Sequence, residues 1–268
     1  MEYCEYPPSA ALAPFVKCFW SLESDEEAHE RERIFPDGSI ELILHYRDLF
    51  RKYDEAGNFV VQPKSFFHGQ LKRYFELQAT GKIGIFSVRF HPAGLRPFVP
   101  FSIDDITDDT APTSAAWGEK AAQLETDLLA AQTTEQRIAL METFLLGQLK
   151  REQVDSIVEK SVERIIEQSG ITSVDEIAQQ QTIGKRALER RFQQSVGLSP
   201  KLFARIIRFN YALQLIEKRD FSNFTTVAYE GGFYDQAHFI KDFQDLTGLN
   251  PKQYFSENLE MVRFFNLD

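Results

Sequence analysis

One short phrase occurs twice in the last third of the chain, and it restricts the fold more than any other feature. Residues 192–201 read FQQSVGLSPK and residues 243–252 read FQDLTGLNPK, an offset of 51 residues. In each copy a Gly that can adopt a left-handed φ closes one helix, and a Ser or Asn followed by Pro can begin the next. The repeat therefore predicts two equivalent helix-to-helix junctions.

Length and composition set the class of protein. A chain of 268 residues exceeds a typical single domain, and 43% hydrophobic residues are enough to build real cores. No apolar run of about 18 residues exists and the N-terminus carries no signal-peptide pattern, so we expect a cytoplasmic protein without a membrane segment. Cys4 and Cys18 form no metal-binding pattern, and we expect them to be free, buried thiols.

The first part of the chain has the pattern of β-strands. Apolar residues alternate with polar ones in three segments, separated by turn-forming residues: Val16, Cys18, Trp20 and Leu22; Ile40, Leu42 and Leu44; Gly84, Phe86, Val88 and Phe90. We therefore expect residues 1–112 to form a mainly-β domain, either a small antiparallel barrel or a sandwich.

The pattern becomes helical at about residue 113. One helix is predicted over residues 114–131, and a second from a cap signal at residues 133–135 to about residue 150. Apolar residues at a spacing of three and four form one stripe on the second helix: Ile138, Met141, Phe144, Leu145 and Leu149. The stripe can pack within the chain or join two chains, so residues 113–152 are a helical linker or a dimerisation region.

Residues 153–268 are predicted to form a separate all-α domain, which makes the fold class α+β. Two short helices joined by a tight turn are predicted twice, over about residues 174–196 and 224–247, with a long helix from residue 200 to about 218 between them. Such a pair is typical of a helix-turn-helix, whose second helix enters the major groove of DNA. Because the pair is repeated, we expect a double helix-turn-helix domain.

The charge of the chain is compatible with DNA binding only when it is divided by region. The formal net charge is −10, and residues 1–160 hold 17 Lys and Arg against 26 Asp and Glu. In contrast, residues 182–208 hold seven basic residues and one acidic residue. Phosphate neutralisation is a local requirement, so this basic stripe predicts a DNA-binding surface, the alternative being a solvated helix face.

At these residues the chain resembles the AraC/XylS family of bacterial transcription regulators, over about residues 160–257. The positions that carry the resemblance are Leu188, Phe192, Gly197, Pro200, Gly232, Phe233, His238, Phe239, Phe243, Gly248 and Pro251. The resemblance implies two helix-turn-helix units on one chain, which contact successive major grooves on one face of the DNA, ~34 Å apart.

The resemblance also implies which side chains contact DNA. In the first unit they are Lys185, Arg186, Glu189, Arg190 and Gln193; in the second they are Gln236, Ala237, Ile240 and Lys241. Arg can bind guanine through two hydrogen bonds, Gln can bind adenine, and Glu can accept from cytosine. Residues 209–268 hold five Lys and Arg against nine Asp and Glu, so we expect the first unit to supply most of the affinity.

Several positions depart from the family pattern. The second helix of each unit is its recognition helix. Gly184 stands where a hydroxyl side chain usually caps the recognition helix of the first unit, and Ile240 stands where a small polar residue is common. Arg191 and its equivalent Asp242 replace residues that are commonly apolar. For His238 we expect a structural hydrogen bond rather than a metal or a base contact, because it adjoins Phe239 after a turn.

In the AraC/XylS family the N-terminal domain commonly senses a small molecule or mediates dimerisation. Residues 35–43 and 88–94 resemble the sensor-type domain of unknown function that some of these regulators carry. The resemblance therefore implies duplex DNA as a partner, and a small-molecule effector or a second copy of the chain as a further one.

The alternative is an N-terminal barrel enzyme or sensor whose C-terminal helices mediate protein contacts. The five His residues, at positions 29, 45, 68, 91 and 238, form no His-x-His pair of the kind that holds a metal in a barrel. No nucleophile motif or Gly-rich phosphate loop is present either. We therefore expect no enzymatic activity, no metal and no cofactor.

Overall fold

The computed structural model describes residues 1–54, 56–217 and 224–256. The described strands are β1 Glu2–Tyr6, β2 Val16–Ser24, β3 Glu32–Ile34, β4 Ile40–His45, β5 Phe50–Tyr53, β6 Phe59–Val61, β7 Ser65–His68, β8 Phe75–Ala79, β9 Ile83–Phe90 and β10 Thr110–Pro112. They form two antiparallel sheets, with strand orders β1-β2-β9-β4-β7-β10 and β3-β8-β5-β6.

Both faces of the larger sheet are covered. On one face Phe19, Leu42 and Val88 pack with the helices that follow the sheet. On the other face Trp20 and Ile85 pack with residues of the smaller sheet. Only Lys17 of β2 is exposed, and β9 is buried along its whole length. These strands are buried on both faces because helices cover one face and the smaller sheet covers the other.

The helical segment begins one residue before the predicted position, and it is interrupted. Its helices are α1 Thr113–Trp117, α2 Glu119–Ala130 and α3 Thr134–Gln148. The single helix predicted over residues 114–131 is broken at Gly118, whose φ of 57° and ψ of −134° are not helical. Glycine alone adopts this conformation without steric cost, so it separates α1 from α2.

The apolar stripe of α3 is occupied within the chain. Met141 and Leu145 are buried in the core below the larger sheet, and Ile138, Phe144 and Leu149 pack against the same core. The rings of Phe144 and Trp117 meet edge to face, with centroids 4.8 Å apart. The stripe is therefore not free to form the dimer interface that the sequence allowed.

The C-terminal region is all helical in its described residues. Its helices are α4 Ser156–Glu167, α5 Val174–Gln180, α6 Lys185–Val196, α7 Pro200–Glu217, α8 Phe224–Glu230, α9 Gln236–Thr247 and α10 Pro251–Ser256. The α+β fold class with two helix-turn-helix units, α5–α6 and α8–α9, is confirmed. The predicted end of the long helix at residue 218 and the end of the domain at residue 268 lie outside the described residues. No helix in the described ranges is long and apolar enough to cross a membrane.

The turn that follows β3 joins the two domains. Phe35 is 4% exposed and belongs to the core of the C-terminal helices, where its ring lies 5.7 Å from that of Tyr254. The carbonyl oxygen of Pro36 accepts a hydrogen bond from Asn210 Nδ2 at 3.4 Å. A Cβ on Gly38 would lie 3.1 Å from the Phe203 ring. The β-domain thus inserts one of its turns into the helical domain.

Two histidines are buried between the sheets. His45 is 1% exposed and its Nε2 lies 3.2 Å from Gln62 Oε1. His68 is 8% exposed and its Nδ1 lies 2.9 Å from the carbonyl oxygen of Gly69. Burial disfavours the charged imidazole and lowers the pKa of each ring to about 4. Both rings are therefore neutral at physiological pH.

These two pKa values predict a pH-dependent stability. In the unfolded chain each His titrates near its ordinary pKa of ~6.5, so the unfolded state binds more protons than the folded state between pH ~6.5 and ~4. The contribution of the two neutral His residues to the free energy of unfolding is complete above pH ~6.5 and is lost as the pH falls towards ~4. From pH ~7 to ~5 we expect the free energy of unfolding to fall by about 2–4 kcal/mol more in the natural chain than in the variant His45→Phe with His68→Phe. Denaturant titrations at the two pH values measure this difference, and equal losses in both proteins contradict it.

Candidate nucleic-acid interface

The two copies of the repeated phrase form equivalent junctions. Gly197 ends α6 with a φ of 86° and Gly248 ends α9 with a φ of 70°, both in the left-handed region. Ser199 Oγ and Asn250 Oδ1 each accept a hydrogen bond from the backbone N–H three residues later, at 3.2 and 3.0 Å. Pro200 and Pro251 begin the helices that follow. The junctions predicted from the repeat are thus present in both units.

The recognition helices α6 and α9 are anchored in the same way. Each turns an i, i+4 pair of side chains into the core, and all four residues are 0% exposed: Leu188, Phe192, Phe239 and Phe243. The Phe192 ring lies 5.6 Å from Phe203, and the Phe243 ring lies 5.3 Å from Phe209. Since Phe203 and Phe209 both belong to α7, this helix holds the two units together.

The exposed face of α6 is basic. Arg186 and Arg190 are exposed and, among the described residues, neither makes an ion pair or a side-chain hydrogen bond. Glu189 lies between them and is partly buried. An Arg side chain without a carboxylate partner retains its full capacity to bind phosphate or a base edge. These two residues are the strongest candidates for DNA contact in the chain.

The other two predicted contacts of the first unit are bound within the protein. Lys185 Nζ lies 3.0 Å from Asp175 Oδ1, at the start of α5. Gln193 Nε2 donates a hydrogen bond to Asp104 Oδ1 at 2.8 Å, and Asp104 belongs to the β-domain. Both side chains remain at the surface, but each must leave a carboxylate before it contacts DNA.

Most of the remaining basic residues between residues 182 and 208 form ion pairs that join helices of the domain. Arg191 Nε lies 2.7 Å from Asp155 Oδ2, which also caps α4. Asp242 is buried and binds Arg205 Nε at 2.9 Å and Arg208 Nη2 at 3.1 Å. The departures at positions 191 and 242 are therefore members of ion pairs between helices. They do not enlarge the surface available to DNA.

The second unit offers less to DNA. Gln236 Oε1 accepts a hydrogen bond from Thr225 Oγ1 at 2.9 Å, and Ala237 is exposed beside it. Lys241 Nζ lies 3.2 Å from Asp245 Oδ2. Ile240 is partly buried and packs against the helical core. Of its four predicted contacts, Ile240 is the one that the structure turns away from the exposed face.

His238 is held by its own unit. Its Nδ1 accepts a hydrogen bond from the backbone N–H of Tyr234 at 3.4 Å, and its Nε2 lies 3.6 Å from Asp242 Oδ1. Its ring meets the Phe233 ring edge to face at 5.7 Å. These contacts give His238 the structural role expected of it. In the part of the chain that the structure describes, no three His, Cys, Asp or Glu side chains are arranged to hold a metal.

Helix capping also distinguishes the two units. Asp235 Oδ1 accepts a hydrogen bond from the backbone N–H of His238 at 2.7 Å and caps α9. Gly184, which precedes α6, provides no side-chain cap. The start of the first recognition helix therefore has no side-chain cap, and the helix dipole there favours a negatively charged partner such as a phosphate.

The β-domain contacts both repeated junctions, which the sequence did not reveal. Thr107 Oγ1 donates a hydrogen bond to the carbonyl oxygen of Gly197 at 2.6 Å. At the second junction, the backbone N–H of Tyr74 donates to the carbonyl oxygen of Leu246 at 3.0 Å, and the Tyr74 ring lies against Gly248. The partners are far apart in sequence and no local pattern marks them. Each unit thus carries a contact through which the β-domain can act on it.

Comparison with known proteins agrees with this division of the chain. Residues 4–112 match a family described as a domain of unknown function (DUF6597), and residues 177–257 match a family described as a helix-turn-helix domain. An uncharacterised HTH-type transcriptional regulator of Haemophilus influenzae is 32% identical over 81 residues, 30% of this chain and 27% of that protein. The HTH-type transcriptional regulator GbdR of Pseudomonas aeruginosa is 28% identical over 117 residues, 44% of this chain and 30% of that protein.

Among solved structures, ToxT from Vibrio cholerae is similar with a TM-score of 0.48 and 13% identity, over 89% of this chain and 98% of that one. The chain matches less than a third of the length of each of the two curated relatives. The match to the helix-turn-helix family, residues 177–257, lies in the helical region, where the repeated junctions, the anchoring residues and the exposed arginines are found. Residues 177–257 of this chain therefore belong to a helix-turn-helix domain, joined to an N-terminal domain of unknown function.

Proposed function

We propose that this chain binds specific sequences of duplex DNA and regulates transcription. The observation that carries the proposal is the pair Arg186 and Arg190 on the second helix of a helix-turn-helix unit, where both are exposed and have no carboxylate partner in the described part of the chain. Two such side chains on successive turns of α6 can reach guanine bases or phosphates in one major groove. The two curated relatives are named transcriptional regulators, which supports the same conclusion.

The two units contribute unequally in this proposal. The first supplies most of the affinity through Arg186 and Arg190. The second contributes fewer contacts, through Gln236 and Ala237, because Lys241 is paired with Asp245. Tyr234, 92% exposed in the turn before α9, is a further candidate for a phosphate contact that the sequence did not suggest.

The rival hypothesis assigns the C-terminal helices to protein contacts. The exposed faces of α6 and α9 argue against it, because they are polar and charged, whereas protein interfaces are depleted of charge at their centre. As a DNA-binding regulator rather than an enzyme, the protein would act in the bacterial cytoplasm. Its N-terminal domain would control DNA binding, through an effector or through dimerisation, since it contacts both repeated junctions.

Salt dependence of DNA binding tests the proposal. The full chain is titrated onto a pool of fluorescent duplexes with random sequence, at about 50 and 200 mM salt, with single-stranded DNA of the same composition as the control. Because binding releases counterions from phosphates, we expect affinity for the duplex to fall at least about tenfold between these concentrations. Absence of duplex binding at the lower concentration, with and without bacterial metabolites, would refute the proposal.

Removing one carboxylate beside the first unit is expected to strengthen DNA binding. Asp104→Asn keeps the shape of the side chain, removes a negative charge next to the recognition helix and weakens its hold on Gln193. We expect the duplex dissociation constant to fall about threefold at low salt, and the difference to shrink as salt screens the charge. Fluorescence anisotropy measures both.

The chain offers a matched control for this variant. Asp127 Oδ1 also accepts a hydrogen bond from a Gln amide, that of Gln123, at 2.9 Å, but on α2. Asp127→Asn makes the same chemical change on a helix of the N-terminal half, and we expect it to leave DNA affinity unchanged. Equal effects of the two variants, or weaker binding by Asp104→Asn, would contradict the assigned position of Asp104 near the DNA.

A further inference from the structure

A small cavity lies between the two sheets of the N-terminal domain. The volume open to the centre of a water molecule is about 70 Å³. Its walls are mainly apolar, with Trp20, Phe50, Leu77 and Ile85 among the lining residues. Since one water needs about 10–15 Å³ on this measure, the cavity has room for about five to seven non-hydrogen atoms, such as one six-membered ring with a substituent.

Two His residues that line this cavity each have a buried ring nitrogen without a hydrogen-bond partner among the described residues. The lining includes the rings of His45 and His68, and both His45 Nδ1 and His68 Nε2 are buried without a hydrogen bond. His68 Nδ1 faces a carbonyl oxygen, which can only accept, so Nδ1 carries the proton and Nε2 is an acceptor. His45 Nε2 faces Gln62 Oε1 in the same way, which leaves Nδ1 as the acceptor. Two of the residues that line the cavity therefore carry an unused hydrogen-bond acceptor.

The rings are fixed in position by aromatic stacking. The His45 ring lies nearly parallel to Phe50, with centroids 5.1 Å apart and 19° between the planes. The His68 ring lies in the same way on Phe75, at 5.1 Å and 20°. Their acceptor atoms are therefore held in place before a ligand arrives, which reduces the entropic cost of binding.

The charged groups at the cavity exclude an anionic ligand. The titratable lining residues besides the two neutral His are Asp37 and Glu41, both carboxylates, and no Lys or Arg is among the residues that line it. Glu41 Oε1 accepts hydrogen bonds from Trp20 Nε1 at 3.0 Å and from Arg89 Nε at 2.8 Å, so its charge is already paired. Among these lining residues a carboxylate or phosphate would meet two carboxylates and no cationic side chain, so its charge would stay unpaired, whereas a hydroxyl group would find an acceptor on either His.

We propose that this cavity binds a small, uncharged aromatic or aliphatic molecule that carries a hydroxyl hydrogen-bond donor, with its apolar part against Trp20 and Phe50 and its hydroxyl on His45 or His68. The ligand is the effector through which the N-terminal domain acts on DNA binding. This second part rests on the proposed function, whereas the binding of the ligand does not.

Phe35 connects the cavity to the DNA-binding domain. Its side chain lines the cavity, and it is also a member of the core formed by the C-terminal helices. Gly38, three residues further along, lies against Phe203 of α7, the helix on which both recognition helices are anchored. A molecule in the cavity therefore lies beside a residue that also belongs to the helical core. It can therefore favour one arrangement of the helical domain to the extent that it binds that arrangement more tightly.

Three probes of similar size test the ligand class by isothermal titration calorimetry on the full chain at neutral pH. Phenol offers a hydroxyl donor, toluene has the same number of non-hydrogen atoms without a donor, and benzoate is an anion. We expect phenol to bind at least tenfold more tightly than toluene and benzoate. If benzoate binds as tightly as phenol, the proposed ligand class is wrong; if phenol binds no better than toluene, the role of the acceptors is wrong.

Variants locate the binding site. His45→Phe with His68→Phe keeps both rings and removes both acceptors, and we expect it to lose the tenfold preference for phenol over toluene. His29→Phe is the matched control, because His29 does not line the cavity. If the double variant does not fold, nitrogen NMR of His-labelled natural protein gives the same answer, since phenol should shift the acceptor-nitrogen resonance of at least one neutral imidazole. Unchanged preference, or unchanged resonances, would place the ligand elsewhere or nowhere.

The coupling to DNA is measured separately. We expect phenol at saturation to change the dissociation constant of a bound duplex at least threefold, with the duplex changing phenol affinity by the same factor. In Phe35→Leu, which shortens the contact between the cavity and the helical core, the factor should fall towards one. If phenol binds but the factor is one in the natural chain, the effector role is refuted while DNA binding stands. If the chain binds no duplex at all, the proposed function fails while the calorimetry still decides the site.

Discussion

Arg186→Ala combined with Arg190→Ala is expected to lower affinity for a selected duplex by about 100-fold or more, without loss of stability. Each Arg that binds a base edge through two hydrogen bonds contributes about 1–3 kcal/mol to recognition. Both side chains are exposed and unpaired among the described residues, so their removal disturbs no packing in the folded chain. Fluorescence anisotropy gives the affinity, and thermal unfolding shows that the fold is retained.

The control removes the same charge from other helices. Lys120 on α2 and Lys160 on α4 are exposed, and Lys120→Ala with Lys160→Ala should weaken binding only slightly. Among single variants, Arg190→Ala should weaken binding more than Lys241→Ala, because Lys241 is paired with Asp245. If Arg190→Ala costs no more than Lys241→Ala, the ranking of the two units is wrong. If the control pair costs as much as the arginine pair, binding depends on net charge and not on α6.

Phe192→Ala and Phe243→Ala are each expected to destabilise the helical domain by about 3–5 kcal/mol. Both side chains are 0% exposed at equivalent positions of the two units, and both contact a Phe of α7. The two losses of unfolding free energy should therefore agree within about 1 kcal/mol. A difference of this size can arise because the cavities left by the two truncated side chains close to different extents. Urea unfolding followed by circular dichroism at a helical wavelength measures them.

A substitution at an exposed Phe provides the comparison. Phe59 is 50% exposed on β6, and Phe59→Ala should cost less than about 1 kcal/mol. A large loss for Phe192→Ala together with a negligible loss for Phe243→Ala would show that the two units are not equivalent scaffolds. In that case the repeated phrase would record common ancestry without a common structural role.

Local patterns predicted the helices of the C-terminal domain closely. The repeated phrase contains the residues that end and begin helices, so α6, α9 and the junctions after them lie within one or two residues of the expected positions. Gly197, Ser199 and Pro200 act through their own backbone and nearest neighbours, which is why their effect can be read from sequence.

The errors arise where structure depends on distant residues. The alternating pattern of β2 and β9 did not show that helices would cover one face of these strands and a second sheet the other. Glu41 and His45 of β4 line a cavity that the sequence did not predict. Arg191 and Asp242 depart from the family pattern, and the sequence did not show that they form ion pairs with residues of other helices.

In the candidate site, too, local features could be predicted from the sequence and contacts between distant residues could not. The positions of Arg186 and Arg190 on one exposed face follow from helical spacing alone. Helical spacing does not predict that Lys185 is bound by Asp175 or that Gln193 is bound by Asp104. The contact between Gln193 and Asp104 joins residues 89 positions apart. The family pattern identifies residues that can reach DNA, whereas only the fold shows which of them are already engaged.

Selection of duplexes from a random pool by the full chain, followed by sequencing, tests the central claim most directly. Two units held on one α7 helix should select two conserved blocks about one helical turn apart, ~10–11 base pairs from centre to centre. One block should carry more sequence information than the other and should lose it in Arg186→Ala with Arg190→Ala. Enrichment of one block alone would contradict reading by two units, and no enrichment over the starting pool would contradict sequence-specific DNA binding itself.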